Sequence, residues 1–399
     1  MGRRSIREKI IIAVILVALG FAGGTARLRP EIAAPAETQA PRVDPYMDHT
    51  KPPEELPTVS APVIPTAPEE TEPPAAATPT PAPAPAPAPE VFTLHFVGDC
   101  TLACAVGFQG GANGYDTITG GDFSYPFAKT RGFFTDDDFT MANCECCLTE
   151  STNATAKTFT FKTSADYANV FPEGSVEFVT LANNHVLDYG QTGYSDTKAA
   201  LDAVGVAYAG RDEWTVYETD RGLRIGVYAV SFGTLEQIRK GVAAVKDAGA
   251  DFIIAALHFG DEGSYQVNSE QRCQAQTAID AGADFVYGSH AHTLQPAEEY
   301  KGKLIYYSMG NWSFGGNTNP RDKDTFILRL TVEKASDGTC TVTEREEIPC
   351  ASSGETSYNN YQPVPYAEDS EGYKRVLSKL NGSFTGANLS IGYGYSANE

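Results

Sequence analysis

Positive charge is scarce in this sequence. Its 399 residues include 30 Lys or Arg against 51 Asp or Glu, which gives a formal net charge of −21. Proteins that bind nucleic acid present clusters of Lys and Arg to the phosphate backbone, so nucleic acid is excluded as a main partner. Hydrophobic residues make up 42% of the chain and aromatic residues 11%. A wholly disordered chain carries less of both, so a substantial folded core is expected.

Aromatic residues are almost absent between Pro30 and Pro89, where Tyr46 is the only one. The same stretch holds 18 of the 25 prolines, and Pro alternates with Ala or Thr from Pro79 to Pro89. Such a sequence cannot form a hydrogen-bonded element and favours extended polyproline II. We predict that residues 27–91 form a disordered stalk, which acts as a passive spacer rather than a docking motif.

The N-terminus carries a basic segment followed by a hydrophobic one. Four basic residues within residues 1–9 precede the apolar run Ile10–Ala22, which is the order of a bacterial export signal. The run extends to Ala26, at the lower edge of the length that spans a bilayer, so a cleaved signal and an uncleaved anchor both fit it. We favour a signal anchor at residues 1–26. The rest of the chain is then extracytoplasmic at the cell membrane, crossing it once, or secreted if the signal is cleaved.

The eight cysteines lack the two C-x-x-C pairs that are typical of a structural zinc site. Five of them cluster between Cys100 and Cys147, and Cys340 and Cys350 flank one predicted strand. An extracytoplasmic location permits oxidation. Disulfides or free buried thiols are therefore favoured over ligation of a metal by cysteine, with any pairing left open.

From Phe92 onward, short apolar runs alternate with helix-like segments, which predicts an α/β layered domain. Two of the helices run into the same Ala-Gly-Ala-Asp sequence, at Ala248–Asp251 and Ala281–Asp284, where Gly can end the helix and a strand begins at once. The predicted helices are Gly193–Val204, Leu235–Ala248, Ser269–Ala281 and a short one near Glu371–Leu380. The predicted strands are Thr93–Val97, Phe139–Ala142, Phe178–Leu181, Arg224–Val230, Phe252–Leu257, Phe285–Tyr287, Leu304–Tyr307, Phe326–Val332 and Thr339–Thr343.

Polar residues follow several of these strands at their carboxyl ends, the positions that hold ligands in layered α/β folds. Four of the six histidines end predicted strands, whereas His49 lies in the stalk and His95 lies in mid-strand, where a core role is expected. A single histidine at a strand end is commonly structural, but several independent polar strand ends predict a metal site. The residues at these ends are Asp99, Glu145, Asn183, Asn184, His185, His258, His290 and His292.

These ligand types suit a particular class of metal. A carboxylate that bridges two ions, together with imidazoles and an amide oxygen, suits Mn, Fe or Zn. Two such ions orient a water and neutralise a phosphoryl or similar oxyanion. His185 directly follows Asn184 and is a candidate general acid, and Asp188 either orients it or is a helix N-terminal residue.

Six motifs in their order and spacing resemble the CapA family, which is associated with capsule and poly-γ-glutamate synthesis. The resemblance covers roughly Phe92 to Val332 and implies the fold of calcineurin-like metallophosphoesterases, a four-layer α-β-β-α sandwich, over residues 92–335. Residues 336–399 are then a C-terminal strand and a tail that packs on the domain or trails it. The motifs are Gly98-Asp99, Asn143-Cys144-Glu145, Ala182-Asn183-Asn184-His185 with Asp188-Tyr189-Gly190, His258-Phe259-Gly260-Asp261-Glu262, Gly288-Ser289-His290-Ala291-His292 with Gln295, and Tyr307-Ser308-Met309-Gly310-Asn311.

The resemblance also implies a role for each site residue. One or two divalent metal ions would be held by Asp99, Glu145, Asn184, His258, His290 and His292. His185 with Asp188 would be catalytic, and substrate would be bound by Asn183, Glu262 and Asn311. The sequence departs from a phosphoesterase of this fold in two places, because Thr101 stands where a His is usual and Asn143-x-Glu145 replaces Gly-Asp. These departures cost one metal position a nitrogen ligand.

Three classes of function fit these residues. The favoured one is a membrane-anchored, extracytoplasmic CapA-like protein that makes, exports or trims an anionic polymer together with membrane-bound polymer synthase components. The second is an independent metal-dependent phosphoesterase that acts on a phosphoester substrate. The third is a non-catalytic assembly scaffold of the synthase, so whether the chain is an enzyme is left open.

Overall fold

A computed structural model describes residues 88–389 of the chain. The predicted signal anchor at residues 1–26 and nearly all of the predicted stalk at residues 27–91 lie outside these residues, and the first strand begins at Glu90. Within residues 88–389, no helix has both the length and the apolar character needed to cross a membrane.

The described chain is a mixed α/β fold in which six helices alternate with sixteen strands. The strands are β1 (Glu90–Thr101), β2 (Phe139–Cys144), β3 (Cys147–Leu148), β4 (Lys162–Thr163), β5 (Phe178–Thr180), β6 (Ala207–Ala209), β7 (Glu213–Glu218), β8 (Arg224–Ser231), β9 (Phe252–His258), β10 (Phe285–Ser289), β11 (Ala297–Tyr300), β12 (Lys303–Tyr306), β13 (Asn311–Phe314), β14 (Asp324–Lys334), β15 (Cys340–Ala351) and β16 (Val364–Pro365). The helices are α1 (Tyr115–Thr119), α2 (Val170–Glu173), α3 (Gly190–Val204), α4 (Leu235–Asp247), α5 (Ser269–Ala281) and α6 (Glu371–Leu380).

The strands form two large sheets. The first has the order β16-β15-β14-β1-β2-β5-β6, with β13 also paired to β1, and the second has the order β11-β12-β10-β9-β8-β7. In the first sheet β1, β2, β5 and β6 run parallel, and in the second β8, β9, β10 and β12 do. The carboxyl ends of the parallel strands therefore meet at one edge of each sheet, which is where the polar strand ends lie.

One hydrophobic core lies between the two sheets. Apolar residues alternate along β1 so that Leu94 and Phe96 point inward, and the ring of Phe96 lies 4.7 Å from that of Phe285 in the second sheet. The opposite faces are covered by helices. Leu201 of α3 packs over the first sheet, and α4 and α5 cover the second. Burial of these faces on both sides fixes the register of each strand, since a slip of one residue would expose its apolar set.

The predicted helix ends are present at α4 and α5. A capping box begins each of them, built from Thr234 with Gln237 in α4 and from Asn268 with Gln271 in α5. Gly249 (φ 76°) and Gly282 (φ 115°) then adopt the positive φ that lets the chain leave the helix and enter the next strand.

Four acidic residues stand immediately before parallel strands and bind the neighbouring strand in the same way. In each case the backbone N–H donates to the carbonyl of a residue in that strand, and the carboxylate accepts the N–H of the same residue. For Asp284 the two bonds to Ile253 are 2.8 and 2.9 Å long. We call this arrangement the strand-start clasp; its members are Asp138 with Thr93, Glu177 with Thr140, Asp251 with Arg224 and Asp284 with Ile253.

The C-terminal region packs on the domain. β15 pairs along the whole of β14, and the buried Lys379 of α6 donates to Asp322 and Asp324 at 2.6 and 2.7 Å. Farther on, Leu389 donates its N–H to the carbonyl of Gly263 at 2.9 Å, so the last described residues lie against the loop that follows β9.

All eight cysteines lie within the described residues and are free thiols, seven of them buried. Cys340 and Cys350 occupy the two ends of β15, as the sequence predicts. Burial raises the pKa of Cys147 to about 12, which keeps this thiol protonated and unreactive at neutral pH. Of the two alternatives that the sequence leaves open, the structure shows free buried thiols.

Candidate metal centre

The predicted ligands come together where the carboxyl ends of the two sheets meet. Asp99 of β1 is in register with Asn143 of β2 on one side and with Asn311 of β13 on the other. In the second sheet, His258 at the end of β9 is in register with Ser289 of β10, just before His290. Parallel pairing thus carries residues that are far apart in the sequence to one place.

A close approach of two backbones holds the first-sheet side of the site. Asp99 donates its N–H to the carbonyl of Gly310 at 2.8 Å. A Cβ atom at Gly98 would collide with that carbonyl, so only glycine fits at this position. This contact seats Asn311 directly beside Asp99.

Two fully buried carboxylates form the base of the site. The amide of Asn143 donates to Oδ1 of Asp99 at 2.8 Å and to Oε2 of Glu145 at 3.3 Å. Oδ2 of Asp99 and Oε1 of Glu145 have no hydrogen bond among the described residues. Burial, with the neighbouring Asp99, raises the pKa of Glu145 well above its usual range. Buried carboxylate oxygens without donors are costly, and a bound cation removes that cost.

Three imidazoles face these oxygens. Nδ1 of His292 lies 3.1 Å from Oδ2 of Asp99, and its Nε2 lies 3.8 Å from Oε1 of Glu145. Nε2 of His258 lies 3.6 Å from the same Glu145 oxygen and 2.8 Å from Oδ1 of Asn184. Nδ1 of the buried His290 has no hydrogen-bond partner among the described residues. All six predicted metal ligands therefore lie in one cluster.

The histidines differ in charge. Burial alone would lower the pKa of His292, but Glu145 and Asp99 outweigh it and raise the value to about 10. Burial, with the charges of its histidine neighbours, lowers the pKa of His258 well below its usual range. Burial also lowers the pKa of His290, to about 4. His258 and His290 are thus neutral at pH 7, the form in which imidazole binds a metal. His292 is protonated at pH 7 while it faces the two carboxylates, and a metal bound there would displace its proton.

The donor set fits a transition-metal cation. Glu145, His290 and His292 each offer a ligand atom, and these atoms all lie within 4.8 Å of one another. His290 (φ 96°) and His292 (φ 55°) adopt left-handed backbone conformations, which turn both rings into the site. Strained conformations of this kind persist where a site over-determines them. The three orphaned atoms, Oδ2 of Asp99, Oε1 of Glu145 and Nδ1 of His290, are those that a cation would satisfy.

His185 and Asp188 form a pair at the edge of this cluster. Nδ1 of His185 lies 2.8 Å from Oδ2 of Asp188, which also accepts the N–H of Phe161 at 2.7 Å. With Nδ1–H donating to Asp188, Nε2 is the nitrogen that is left to exchange a proton. Burial lowers the pKa of His185, and Asp188 partly offsets that effect. Asp188 precedes α3 but binds His185, so the geometry agrees with the orienting role.

The predicted substrate residues occupy different environments. Asn183 donates to Oδ1 of Asn143 and to the carbonyl of Cys144, and it accepts the N–H of His185. The side chain of Asn311 contacts the ring and the carbonyl of His292 at 2.9 and 3.2 Å. Glu262 lies close enough to His290 for its charge to offset part of the lowering of the His290 pKa that burial causes. Both asparagines thus hold the cluster in place, and their binding of substrate stays a prediction.

Two residues of the site have no role assigned from the sequence. Asn143 links the two carboxylates. Its position two residues before Glu145, at the same strand end, is the sequence signal that could have identified it. Lys157 donates to Oδ1 of Asp188 at 2.6 Å and to the carbonyl of Asn184 at 2.7 Å. It lies in a loop without periodic pattern, so no local signal points to it. His95 is buried and pairs with Asp137 at 2.7 Å, in agreement with its predicted place in the core.

The chain is similar in sequence to a known protein family and to several known proteins. Residues 93–315 match the family model of the bacterial capsule synthesis protein PGA_cap. The chain is 27% identical over 320 residues to the PGA biosynthesis protein CapA of Bacillus subtilis, covering 73% of this chain and 78% of that protein. It is 27% identical over 270 residues to the capsule biosynthesis protein CapA of Bacillus anthracis, covering 60% and 64%.

More distant similarities lie outside Bacillus. A probable polyglutamine synthesis accessory protein of Mycobacterium tuberculosis is 26% identical over 258 residues, covering 54% of this chain and 68% of that protein. Among solved structures, the NAD nucleotidase of Haemophilus influenzae is similar with a TM-score of 0.38 at 12% identity, covering 74% of this chain and 63% of that one. Because the family model spans more than half of the sequence and includes every predicted ligand, the chain belongs to the bacterial capsule synthesis protein family, PGA_cap.

Proposed function

We propose that this chain is a membrane-anchored, extracytoplasmic protein that works in capsule or poly-γ-glutamate synthesis through a metal-dependent hydrolase-type site. The observation that carries the proposal is the convergence of three orphaned buried atoms, on Asp99, Glu145 and His290, with the rings of His258 and His292. The ring of His292 offsets part of the carboxylate charge, with its Nδ1 3.1 Å from Oδ2 of Asp99. A cation would satisfy the atoms that remain unpaired, each of which costs free energy while it is buried.

The metal would be held by the six clustered residues, with Glu145 central to the set, as one or two ions of Mn, Fe or Zn. When bound, such ions activate a water and neutralise an oxyanion. Asn143 links the two carboxylates by donating to both, and Asn311 orients the His292 ring from its Nδ1 side. Contacts of this kind fix the orientation of ligands. The residues Asp99, Glu145, Asn184, His258, His290 and His292 make up the proposed ligand set.

His185 is proposed as the general acid. Asp188 holds its Nδ1, so Nε2 is the atom that would deliver a proton to the leaving group. Lys157 donates to both Asp188 and the carbonyl of Asn184. These two bonds couple the orientation of His185, the proposed acid, to that of Asn184, a proposed metal ligand. The acid and the ligand are thereby held in one rigid turn.

We also propose that the fold is the four-layer α-β-β-α sandwich of the metallophosphoesterases. Two sheets enclose one core, and helices cover each outer face. The family and the names of the relatives support a role in polymer synthesis, and one relative is a probable polyglutamine synthesis accessory protein. Membrane-bound synthase components are therefore the proposed partners, with an anionic polymer as substrate and Asn183, Glu262 and Asn311 as pocket residues.

The location is proposed from the sequence. The basic and apolar segment at residues 1–26 would anchor the chain, and the proline-rich residues 27–91 would hold the domain away from the membrane. Since the chain carries a net charge of −21, free polyanion would be repelled by most of its surface. Contact with an anionic polymer would then be local to the metal site.

The test uses the full chain, an Asp99→Ala, His290→Ala double variant and a His185→Ala variant. Bound metal is measured by elemental mass spectrometry, and hydrolysis is measured on poly-γ-glutamate and on a generic phosphodiester. We expect bound transition metal in the parent and in His185→Ala but not in the double variant, and cleavage of the polymer by the parent alone. As a control, Asp284→Ala removes a half-buried carboxylate at the opposite end of the second sheet and should keep its metal.

Each other result points to a different function. Cleavage of the phosphodiester but not the polymer would replace the proposal with an independent phosphoesterase. Bound metal without hydrolysis of either substrate, together with full capsule synthesis by cells that carry His185→Ala, would show a non-catalytic scaffold. A parent that stays metal-free after reconstitution would contradict the metal site itself.

A further inference from the structure

The strand β8 ends beside the proposed ligands but supplies none of them. β1, β9 and β10 each place a proposed ligand near or just beyond the carboxyl end, whereas β8 is followed by Phe232. Phe232 is bound to the neighbouring strand end, since its N–H donates to the carbonyl of His258 at 3.0 Å. The edge of the second sheet therefore presents an aromatic ring beside the ligands.

Phe232 is exposed although it lies beside buried residues. Its side chain is 55% exposed, while His258 and His290 next to it are 1% and 6% exposed. Its ring centre lies 4.9 Å from that of His290 and 6.2 Å from that of His258, nearly perpendicular to both. One side of the ring thus contacts the two histidines, and the rest faces solvent at the mouth of the site.

The backbone of Phe232 is also strained. Its φ of 48° lies in the left-handed region, which a bulky aromatic residue seldom adopts. Glycine would adopt this conformation without cost, and Gly233 stands directly beside it in the sequence. A large apolar side chain that is both exposed and strained contributes little to stability, and such strain clusters at sites that bind ligands.

We propose that Phe232 contacts substrate and selects a γ-linked glutamate chain over a compact anion. This inference rests on the proposed function. Each unit of such a chain carries one carboxylate on a skeleton of two methylenes and an amide. With a carboxylate directed to the centre at Glu145, His290 and His292, the adjoining methylenes and the flat amide lie against the exposed ring. A compact anion such as phosphate has no apolar part for the ring to contact.

The test compares the parent chain with Phe232→Leu at full length, both loaded with Mn²⁺. Binding of a γ-linked glutamate oligomer and of inorganic phosphate is measured by calorimetry, and bound Mn²⁺ by elemental analysis. We expect Phe232→Leu to bind the oligomer roughly tenfold more weakly, because it loses the flat aromatic surface, with unchanged phosphate binding and Mn²⁺ content. The matched control is Phe133→Leu, which alters another exposed phenylalanine, outside the site, and should change none of the three.

The outcomes separate this inference from the function on which it rests. A parent that binds Mn²⁺ and phosphate but no oligomer overturns the proposed substrate and this inference with it. A parent that binds the oligomer while Phe232→Leu binds it equally well overturns this inference alone. Parallel loss of oligomer, phosphate and Mn²⁺ in Phe232→Leu would show that the ring only covers the histidines.

A second variant separates binding from packing. Phe232→Gly relieves the backbone strain, so we expect its thermal unfolding midpoint to equal or exceed that of the parent while oligomer binding falls as in Phe232→Leu. A midpoint lower by more than about 4 °C would show that the ring is kept for stability, and would overturn the inference.

Discussion

Carboxylates occur at both ends of the parallel strands, half-buried at the amino ends and fully buried at the carboxyl ends, and their surroundings differ. At the amino ends, the members of the strand-start clasp each accept a backbone N–H from the adjacent strand, and Asp251 and Asp284 also accept a lysine. At the carboxyl ends, Asp99 and Glu145 each keep one oxygen without a hydrogen bond among the described residues. The oxygens of the first group find hydrogen-bond donors within the fold, whereas the second group keeps oxygens that a bound cation could occupy.

This difference assigns roles to residues of the same type. An acidic residue whose oxygens accept both a backbone N–H and a lysine, as in Asp251 and Asp284, contributes to stability, because these contacts offset its desolvation. An acidic residue with an unfilled buried oxygen reduces stability until a ligand arrives. Part of the large acidic excess is therefore structural, and acidic character alone does not mark the site.

The largest effect that tests the contrast should come from Glu145→Gln. The substitution keeps the shape of the side chain but removes the charge that a cation needs, so Mn²⁺ affinity should fall by at least about 100-fold. In the presence of a chelator, the same variant should unfold at the same temperature as the parent or a higher one. Burial raises the pKa of Glu145 well above its usual range, so the metal-free parent must take up a proton on folding, and glutamine has no such cost. Calorimetric titration and thermal unfolding measure the two quantities.

A result of the opposite kind would break the contrast. If Glu145→Gln bound Mn²⁺ as the parent does but unfolded at a lower temperature, Glu145 would be a structural residue like those of the strand-start clasp.

The next effect in size should come from Asp284→Ala, at the amino end. Loss of the carboxylate leaves the buried N–H of Ile253 without its acceptor and removes the contact with Lys303. We expect the free energy of unfolding to fall by about 2 kcal/mol with Mn²⁺ affinity unchanged, as measured by denaturant unfolding and titration. Asp280→Ala, which removes an exposed acid that pairs with Lys301, is the control and should change stability by less than about 0.5 kcal/mol. Equal losses in the two variants would show that the clasp adds nothing beyond a surface ion pair.

Much of the fold could be predicted because its signals are local. The buried strands β1, β9 and β10 read as apolar runs, and capping residues with a following glycine mark the bounds of α4 and α5. The half-exposed β7 has no apolar run and went unpredicted, as did the short β6, β11 and β13. Amphipathic or very short strands are defined by their partners in the sheet, which a local pattern does not contain.

The residues of the site likewise separate into those with a local sequence signal and those without one. The six proposed ligands could be found because strand ends are visible in the sequence and parallel pairing brings them together. Lys157 could not, because its bond to Asp188 spans 31 residues and depends on how two loops pack. A role for Phe232 could not be predicted, because an apolar residue that follows an apolar strand has the pattern of a further strand residue. Its exposure and its positive φ are properties of the folded chain alone.

The smallest effect should come from Glu177→Gln, within the clasp itself. Burial, with the neighbouring Asp137, raises the pKa of Glu177 to about 8 in the folded protein, above the ordinary value of an unfolded chain. Below pH 4 both states hold the proton and the carboxyl group carries no penalty. As the pH rises toward 8, the unfolded state ionises and the folded state does not, so the parent loses stability over this window and stays lower above it. Glutamine still accepts the N–H of Thr140 but has no proton to lose. Glu177→Gln should therefore match the parent at pH 4 and exceed its free energy of unfolding by at least about 1 kcal/mol at pH 9, measured by denaturant unfolding across that range. If the two proteins differed by the same amount at every pH, the charge at this position would be irrelevant, and the clasp would act through its hydrogen bonds alone.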